Sequence, residues 1–138
     1  MKVFPSNSVS AELAELLIKN TAAKATELGK PMAISVCDQA GELKAFLRMD
    51  GAAFIAVNIA QNKAWTAASF GISTDEWYEF VKDDGPLALS IVHTPRLTTF
   101  GGGFPIIVDG QVVGGIGVSG GHYSEDMECA RSALDKLK

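Results

Sequence analysis

The sequence predicts an α+β domain in which an antiparallel sheet is flanked by helices. Two hairpin patterns are separated by helical patterns, and the strand–helix–strand alternation of a parallel sheet is missing. The length of 138 residues suits one ordinary domain, so the whole chain, 1–138, is predicted to be a single domain. The net charge of −4, with no basic face, argues against nucleic acid and anionic lipid as partners.

The first part of the chain is predicted to form a helix followed by a hairpin. Small and apolar residues recur at helical spacing over residues 11–28, and Ser8 or Ser10 can cap the start of that helix. The runs at 31–38 and 42–49 are typical of two antiparallel strands joined by a short turn. Because the first run is apolar at nearly every position, we expect this hairpin at the centre of the sheet.

The next segments are predicted to be helical or irregular. Residues 53–70 form an alanine-rich helical pattern, which implies close packing against a sheet or against a copy of the chain. A capping-box spacing at Ser73 begins a short helix that is expected to end near Gly85. Residues 87–103 are expected to form an irregular loop with at most one helical turn. The chain closes with a helix over 124–138, which has acids first and lysines last.

Residues 98–121 carry nine glycines within two apolar strands joined by an Asp-Gly pair. Asp-Gly between apolar runs predicts a tight hairpin turn with positive φ. Glycine inside a strand leaves no side chain to pack, so Gly114, Gly115 and Gly117 predict a bulge or a close approach by another backbone or a ligand. We interpret the stretch as a candidate binding wall.

Several classes of function are excluded or disfavoured. Residues 115–120 fit the dinucleotide fingerprint G-x-G-x-x-G, but they lie within a strand and not at a strand-to-helix turn. Cys37 and Cys129 match no paired or metal-binding spacing, so they are expected to be reduced thiols, and no metal site is predicted. The sequence shows no signal peptide and no apolar run of membrane-spanning length, so a cytoplasmic location without a membrane partner is expected.

Three segments together resemble one protein family. They are PMAISVCDQAGELKAFLRMDGA, NIAQNKAWTAASF and GGGFPIIVDGQVVGGIGVSGGHYSEDMECA, with the patterns RMDGA, IA-x-x-KA-x-TA, GG-x-P and GGIGVSGG in family order. The chain resembles the GlcG-type family, also called the HbpS-like haem-degrading domain family, over nearly its whole length. The resemblance implies a profilin-like or PAS-like sheet, assembly into homo-oligomers and an association with haem. A similar domain is fused to some cobalamin adenosyltransferases, and other members are encoded among small-molecule catabolic genes.

Two cations are candidates for holding an anionic ligand in a cleft between the glycine hairpin and the turn after Arg48. Arg48 can bind a carboxylate through two parallel hydrogen bonds, and the alternative is a structural ion pair with Asp50 or Asp126. Asp50 lies in the same turn and is included in the candidate site. Lys63, within the pattern that resembles the family's KA-x-TA, can face the same cleft, and the alternative is a solvated lysine.

Backbone groups of the glycine wall and of the following turn complete the candidate site, at Gly102, Gly103, Ser119, Gly120 and Gly121. The turn precedes the last helix, whose first N–H groups attract anions. The alternative is that Ser124 caps this helix while the two acids that follow satisfy its positive end.

Two histidines are candidate axial ligands if the ligand is haem, because imidazole commonly binds haem iron. They are His93, in the irregular loop, and His122, directly after the glycine hairpin. The alternative for each is a surface or structural role, and Met49 and the two cysteines are weaker candidates. Trp65, Trp77, Tyr78 and Phe100 are expected in the core or an interface, or as the lining of a site for a flat ligand.

The leading hypothesis is a homo-oligomeric protein that binds a haem-like ligand or a small carboxylate. The alternative is an enzyme of small-molecule catabolism, an isomerase, hydrolase or deaminase, in which Arg48 binds a carboxylated substrate and Asp50 or His93 moves a proton. A third hypothesis makes the chain an assembly or accessory partner whose apolar surfaces serve oligomerisation.

Overall fold

Four strands form one antiparallel sheet in the computed structural model, which describes residues 2–138. The strands are β1 (Ala33–Asp38), β2 (Leu43–Arg48), β3 (Gly103–Val108) and β4 (Gln111–Ser119), in the spatial order β2-β1-β4-β3. The helices of the described residues are α1 (Ala11–Leu28), α2 (Ile55–Phe70), α3 (Thr74–Val81), α4 (Gly85–Ile91) and α5 (Tyr123–Asp135). The predicted α+β class with an antiparallel sheet is confirmed.

Helices cover both faces of the sheet. On one face α1 and α5 pack over the main core, which includes Leu17 of α1, Ile34 of β1 and Val118 of β4, all fully buried. On the other face α2 lies directly on the sheet through small residues such as Ala56 and Ala60. The alanine-rich helix therefore packs closely against the sheet of its own chain, which is one of its two predicted partners.

The boundaries of α1 follow from local capping. The Ser10 side chain accepts a hydrogen bond from the Leu13 N–H at 3.0 Å, and Gly29 ends the helix with a left-handed φ of 69°. Ser8, the alternative cap, accepts instead from the Gln39 N–H at 3.1 Å and ties the N-terminal segment to the β1–β2 turn.

The expected irregular loop after residue 86 is partly wrong, because α4 occupies residues 85–91. Its N-cap is Asp84, whose carboxylate accepts from the Leu87 N–H at 3.1 Å, and Pro86 lies in its first turn. No side chain of α4 is buried, so this helix lies loosely on the surface. Among the helices of residues 2–138, none combines the length and hydropathy needed to cross a bilayer.

Of the two strands in the β1–β2 hairpin, only β1 lies in the centre of the sheet. β1 lies between β2 and β4 and is buried along most of its length, whereas β2 is an edge strand, so the expectation of a central hairpin is wrong for β2. Its register passes from Val36↔Ala45 to Cys37↔Leu43, which leaves Lys44 as the extra residue of a bulge. A bulge at a sheet edge hinders pairing with another strand.

The opposite edge is closed by different means. β3 contains Pro105, which has no N–H to offer, and the Gly103 N–H donates to the Thr74 hydroxyl of α3 at 3.0 Å. The β3–β4 turn has positive φ at Asp109 (52°) and Gly110 (77°), as the Asp-Gly signal predicts.

Candidate functional site

Most of the predicted site residues gather at one end of the sheet, where β1 and β3 begin and β2 and β4 end. Arg48 and Ser119 both lie opposite Ala33 in the register, so they flank β1 on the same face of the sheet. Gly102 lies beside the end of β4, since its carbonyl accepts from the Val118 N–H at 2.9 Å. The antiparallel topology thus brings together segments that are far apart in the sequence.

The glycine wall is covered by α2. A Cβ at Gly103, Gly115 or Gly117 would overlap a backbone carbonyl oxygen of that helix, namely those of Lys63, Ala64 and Ala60 respectively. The predicted close approach to these peptides is confirmed, and the approaching group is the backbone of α2 from the same chain. The α2 backbone fills the space over Gly103, Gly115 and Gly117, and the cleft expected between the rest of the wall and the Arg48 turn stays a prediction.

Lys63 is buried in an ion pair, so the alternative of a solvated lysine is wrong. Its ammonium is fully inaccessible and donates to Asp126 Oδ2 at 3.0 Å and to the Val118 carbonyl at 2.8 Å. The Phe100 ring covers it, with the ammonium 4.6 Å from the ring centroid. The lysine thus joins α2, β4 and α5, and an anionic ligand would have to displace the Asp126 carboxylate to reach it.

Electrostatics at this pair follows from its burial. Burial lowers the pKa of Lys63 and raises the pKa of Asp126, although the attraction between the two charges opposes both shifts. Gly102, with φ of 128°, leaves room for the ammonium, because a Cβ there would lie 2.6 Å from Nζ. Lys63, Gly102 and Gly103 form a packed junction, and their predicted role in ligand binding stays a prediction.

Arg48 forms neither of the ion pairs considered from the sequence. Its Nε and Nη2 both donate to the Ala52 carbonyl, at 3.0 and 2.8 Å, and so brace the turn through Asp50 and Gly51. Asp50 is exposed, and Gly51 has a left-handed φ of 89°. Arg48 and Asp50 remain predicted ligand contacts at the edge of the sheet.

The turn at Gly120 and Gly121 is satisfied by carboxylates of the chain itself. The Gly121 N–H donates to Asp126 Oδ1 at 3.0 Å, and the next N–H donates to Glu125 Oε1 at 2.9 Å. These two acids occupy the positive end of α5, as the alternative reading of the sequence predicts. A role of Ser119, Gly120 and Gly121 in holding a carboxylate stays a prediction.

His122 caps α5, so the alternative in which Ser124 is the cap is wrong. The imidazole Nδ1 accepts from the Ser124 N–H at 3.3 Å and lies 2.8 Å from the Ser124 hydroxyl. Within residues 2–138 the other ring nitrogen, Nε2, has no hydrogen-bond partner, and the ring packs on Tyr123 with centroids 4.3 Å apart. His93, in contrast, is exposed just after α4.

Tyr123 lines two cavities, one on each side of its ring, and it is not among the site residues predicted from the sequence. One, of about 760 Å³, runs along the outer side of α5; we call it the α5 groove, lined by Lys24, Tyr123, Met127, Glu128, Arg131, Asp135 and Lys136. The other, of about 370 Å³, we call the aromatic cleft, lined by Asp75, Tyr78, Glu79, Phe100, Gly101 and Tyr123. The two cavities differ in charge, because the lining of the first has three cations and two carboxylates, whereas the lining of the second has two carboxylates and no cation.

Other reactive groups are isolated in the described part of the chain. Cys37 and Cys129 are free and buried, and burial raises the pKa of each thiol to about 11. Residues 2–138 contain no group of three or more His, Cys, Asp or Glu side chains placed to hold a metal ion.

Comparison with known proteins gives consistent matches. The family model described as haem degrading protein HbpS-like matches residues 9–135. Protein GlcG of Escherichia coli strain K12 is 39% identical over 111 residues, which make up 80% of this chain and 81% of GlcG.

Solved structures share the fold along nearly the whole chain. Klebsiella pneumoniae protein ORFY superposes with a TM-score of 0.91 at 33% identity, covering 98% of this chain and 94% of that protein. A PduOC complex with haem superposes with a TM-score of 0.86 at 29% identity, covering 93% of this chain and 94% of PduOC.

Proposed function

Because the chain belongs to the HbpS-like haem degrading protein family, we propose that it binds haem, in the α5 groove, with His122 as the axial ligand. The observation that supports the proposal is that His122 directly precedes Tyr123 and Ser124, two residues that line this groove, and that its ring packs on Tyr123. The haem complex of PduOC, a relative with the same fold, supports the choice of ligand.

The groove suits the chemistry of haem. The macrocycle needs an apolar or aromatic wall, which Tyr123 and Met127 provide, and the two propionates need cations, which Arg131 and Lys136 provide. Arg131 is already oriented by the Phe104 ring, 5.1 Å from its guanidinium carbon. Both cavities contain two carboxylates, but the aromatic cleft is less suitable for haem because no cation lines it to attract the propionates.

The contacts of His122 suit an iron ligand. To bind a metal through Nε2, the neutral imidazole must carry its proton on Nδ1, so that Nδ1 donates to the Ser124 hydroxyl at 2.8 Å and no longer accepts from the Ser124 N–H. A hydrogen bond of this kind fixes the orientation of a ligating imidazole. When bound, haem would supply an iron centre whose coordination this histidine controls.

A hemin titration followed by absorbance tests the proposal. We expect a saturable shift of the Soret band with the wild-type chain. His122→Asn should change the band position and weaken binding by about tenfold or more, since loss of an iron contact is costly. Asparagine can still cap α5, so this variant removes the imidazole without removing the cap.

The other histidine offers a matched control. His93→Asn should leave the Soret band and the affinity unchanged, whereas Arg131→Gln should weaken binding without moving the band, because it removes a propionate contact. A wild-type chain that produces no Soret shift would refute haem binding. A shift that is lost in His93→Asn but kept in His122→Asn would refute the axial assignment alone.

A further inference from the structure

We propose that the aromatic cleft is a separate binding site for an organic ammonium ion. Three aromatic side chains line the cleft and each is about half exposed, at 47% for Tyr78, 48% for Phe100 and 50% for Tyr123. Each of these rings keeps a solvent-exposed part that a ligand can contact, and a cavity of about 370 Å³ lies within the size range of small-molecule sites.

The carboxylates of the cleft determine the charge of its ligand. Asp75 and Glu79 are four residues apart on α3, so they lie on one side of the helix, with Tyr78 beside them. Asp75 Oδ1 is buried and accepts no hydrogen bond from residues 2–138, so only the positive end of α3, in whose first turn Asp75 lies, partly balances its charge. Glu79 pairs with the half-exposed Lys82, which leaves Asp75 as the main anionic group.

The floor of the cleft does not oppose a cation. The Lys63 ammonium lies behind the Phe100 ring, but the Asp126 carboxylate neutralises it at 3.0 Å. Ring faces carry partial negative charge, and quaternary or primary ammonium groups are attracted to them, more strongly when a carboxylate is near. Carboxylate and rings together therefore favour an ammonium group over a neutral or anionic one.

Choline and its neutral carbon isostere, 3,3-dimethylbutan-1-ol, are matched probes because they differ only in the charged atom. Isothermal titration and ligand-observed NMR on the full chain should show saturable choline binding, with the isostere about tenfold weaker or worse. Asp75→Asn and Phe100→Leu should each weaken choline binding severalfold. Asp83→Asn, which removes an exposed carboxylate just beyond α3, is the matched control and should have no effect.

The outcome separates this site from the haem site. Arg131→Gln, in the α5 groove and outside the lining of the aromatic cleft, should leave choline affinity unchanged, and Asp75→Asn should leave the hemin titration unchanged. Absence of choline binding at about 50 mM, or equal binding of choline and its isostere, would overturn the ammonium site whatever the hemin result. Binding that survives both Asp75→Asn and Phe100→Leu would place choline elsewhere on the molecule and would equally overturn it.

Discussion

The contact between α2 and β4 predicts that a single methyl group at Gly117 destabilises the fold strongly. A Cβ there would overlap the Ala60 carbonyl oxygen and lie 2.6 Å from the Ala64 amide nitrogen. Since ordinary carbon contacts are about 3.5–4.0 Å, α2 would have to move away from the sheet by about 1 Å. Overpacking of a core costs about 1–3 kcal/mol, and here backbone must move, so we expect Gly117→Ala to cost about 3 kcal/mol.

Urea and thermal unfolding followed by circular dichroism measure this cost. For a chain of this length about 1 kcal/mol corresponds to about 3–5 °C in Tm, so Gly117→Ala should lower Tm by about 10 °C or more. Gly85→Ala is the matched control, because a Cβ at Gly85 meets nothing within 4 Å. Its stability should lie within about 1 kcal/mol of the wild type.

A double variant tests whether backbone is the obstacle. If the methyl met only the Ala60 side chain, Ala60→Gly would restore the stability of Gly117→Ala. Because the overlapping atom is the Ala60 carbonyl oxygen, we expect no restoration. The reasoning is wrong if Gly117→Ala unfolds within about 1 kcal/mol of the wild type, or if the double variant recovers wild-type stability.

Three other features lead to measurable predictions. Asp126→Asn should reduce the free energy of unfolding in urea by about 3 kcal/mol, because it leaves the Lys63 ammonium buried without a counter-charge, and replacing both residues by Leu and Met should recover most of it. Thr74→Val should cost about 1–2 kcal/mol by leaving the Gly103 N–H unpaired, and Thr74→Ser should cost much less. Since the pKa of Cys37 is raised to about 11, about one Cys37 thiol in a thousand is ionised at pH 8. Labelling of this thiol in the native chain should therefore be slow, and its rate should rise about tenfold per pH unit. Rapid labelling of Cys37 at pH 8 would contradict its burial.

Local signals were sufficient for some elements. Ser10 and Gly29 fix the ends of α1 because a cap and a left-handed glycine act within a few residues of the helix. The Asp-Gly turn was predictable for the same reason. Asp84 and Pro86 carry an equally local signal for α4, but a proline that follows a helical pattern also indicates the end of the preceding helix.

Long-range pairing was not predictable from one sequence. The helical phase places Lys63 on the same side as Ala60, Ala64 and Ala67, which indicates burial, but its partner Asp126 is 63 residues away. The glycine content correctly predicts a close approach to β4, whereas the identity of the approaching group depends on how α2 crosses the sheet. Strand order likewise depends on such crossings, so the edge position of β2 had no local signal.

In the candidate site, too, local features were predictable from the sequence and long-range contacts were not. His93 and His122 are both candidate iron ligands from the sequence, and the capping role of His122 is not predicted because histidine is not among the usual N-cap residues. It considered Tyr78 and Phe100 as the lining of a site for a flat ligand and overlooked Tyr123, which stands between the two cavities. The convergence of three aromatic side chains from separate segments is a property of the tertiary structure.

The two closed borders of the sheet restrict how copies of this chain can join. β2 has a bulge at Lys44. In β3, Pro105 has no N–H and the Gly103 N–H is already bonded to Thr74. Neither edge strand therefore offers a continuous row of free backbone hydrogen-bonding groups to another strand. Self-association, which the sequence predicts, must then be built from helical surfaces. Such an assembly would come apart when helix side chains are changed, and extended peptides designed to add a fifth strand should fail to bind.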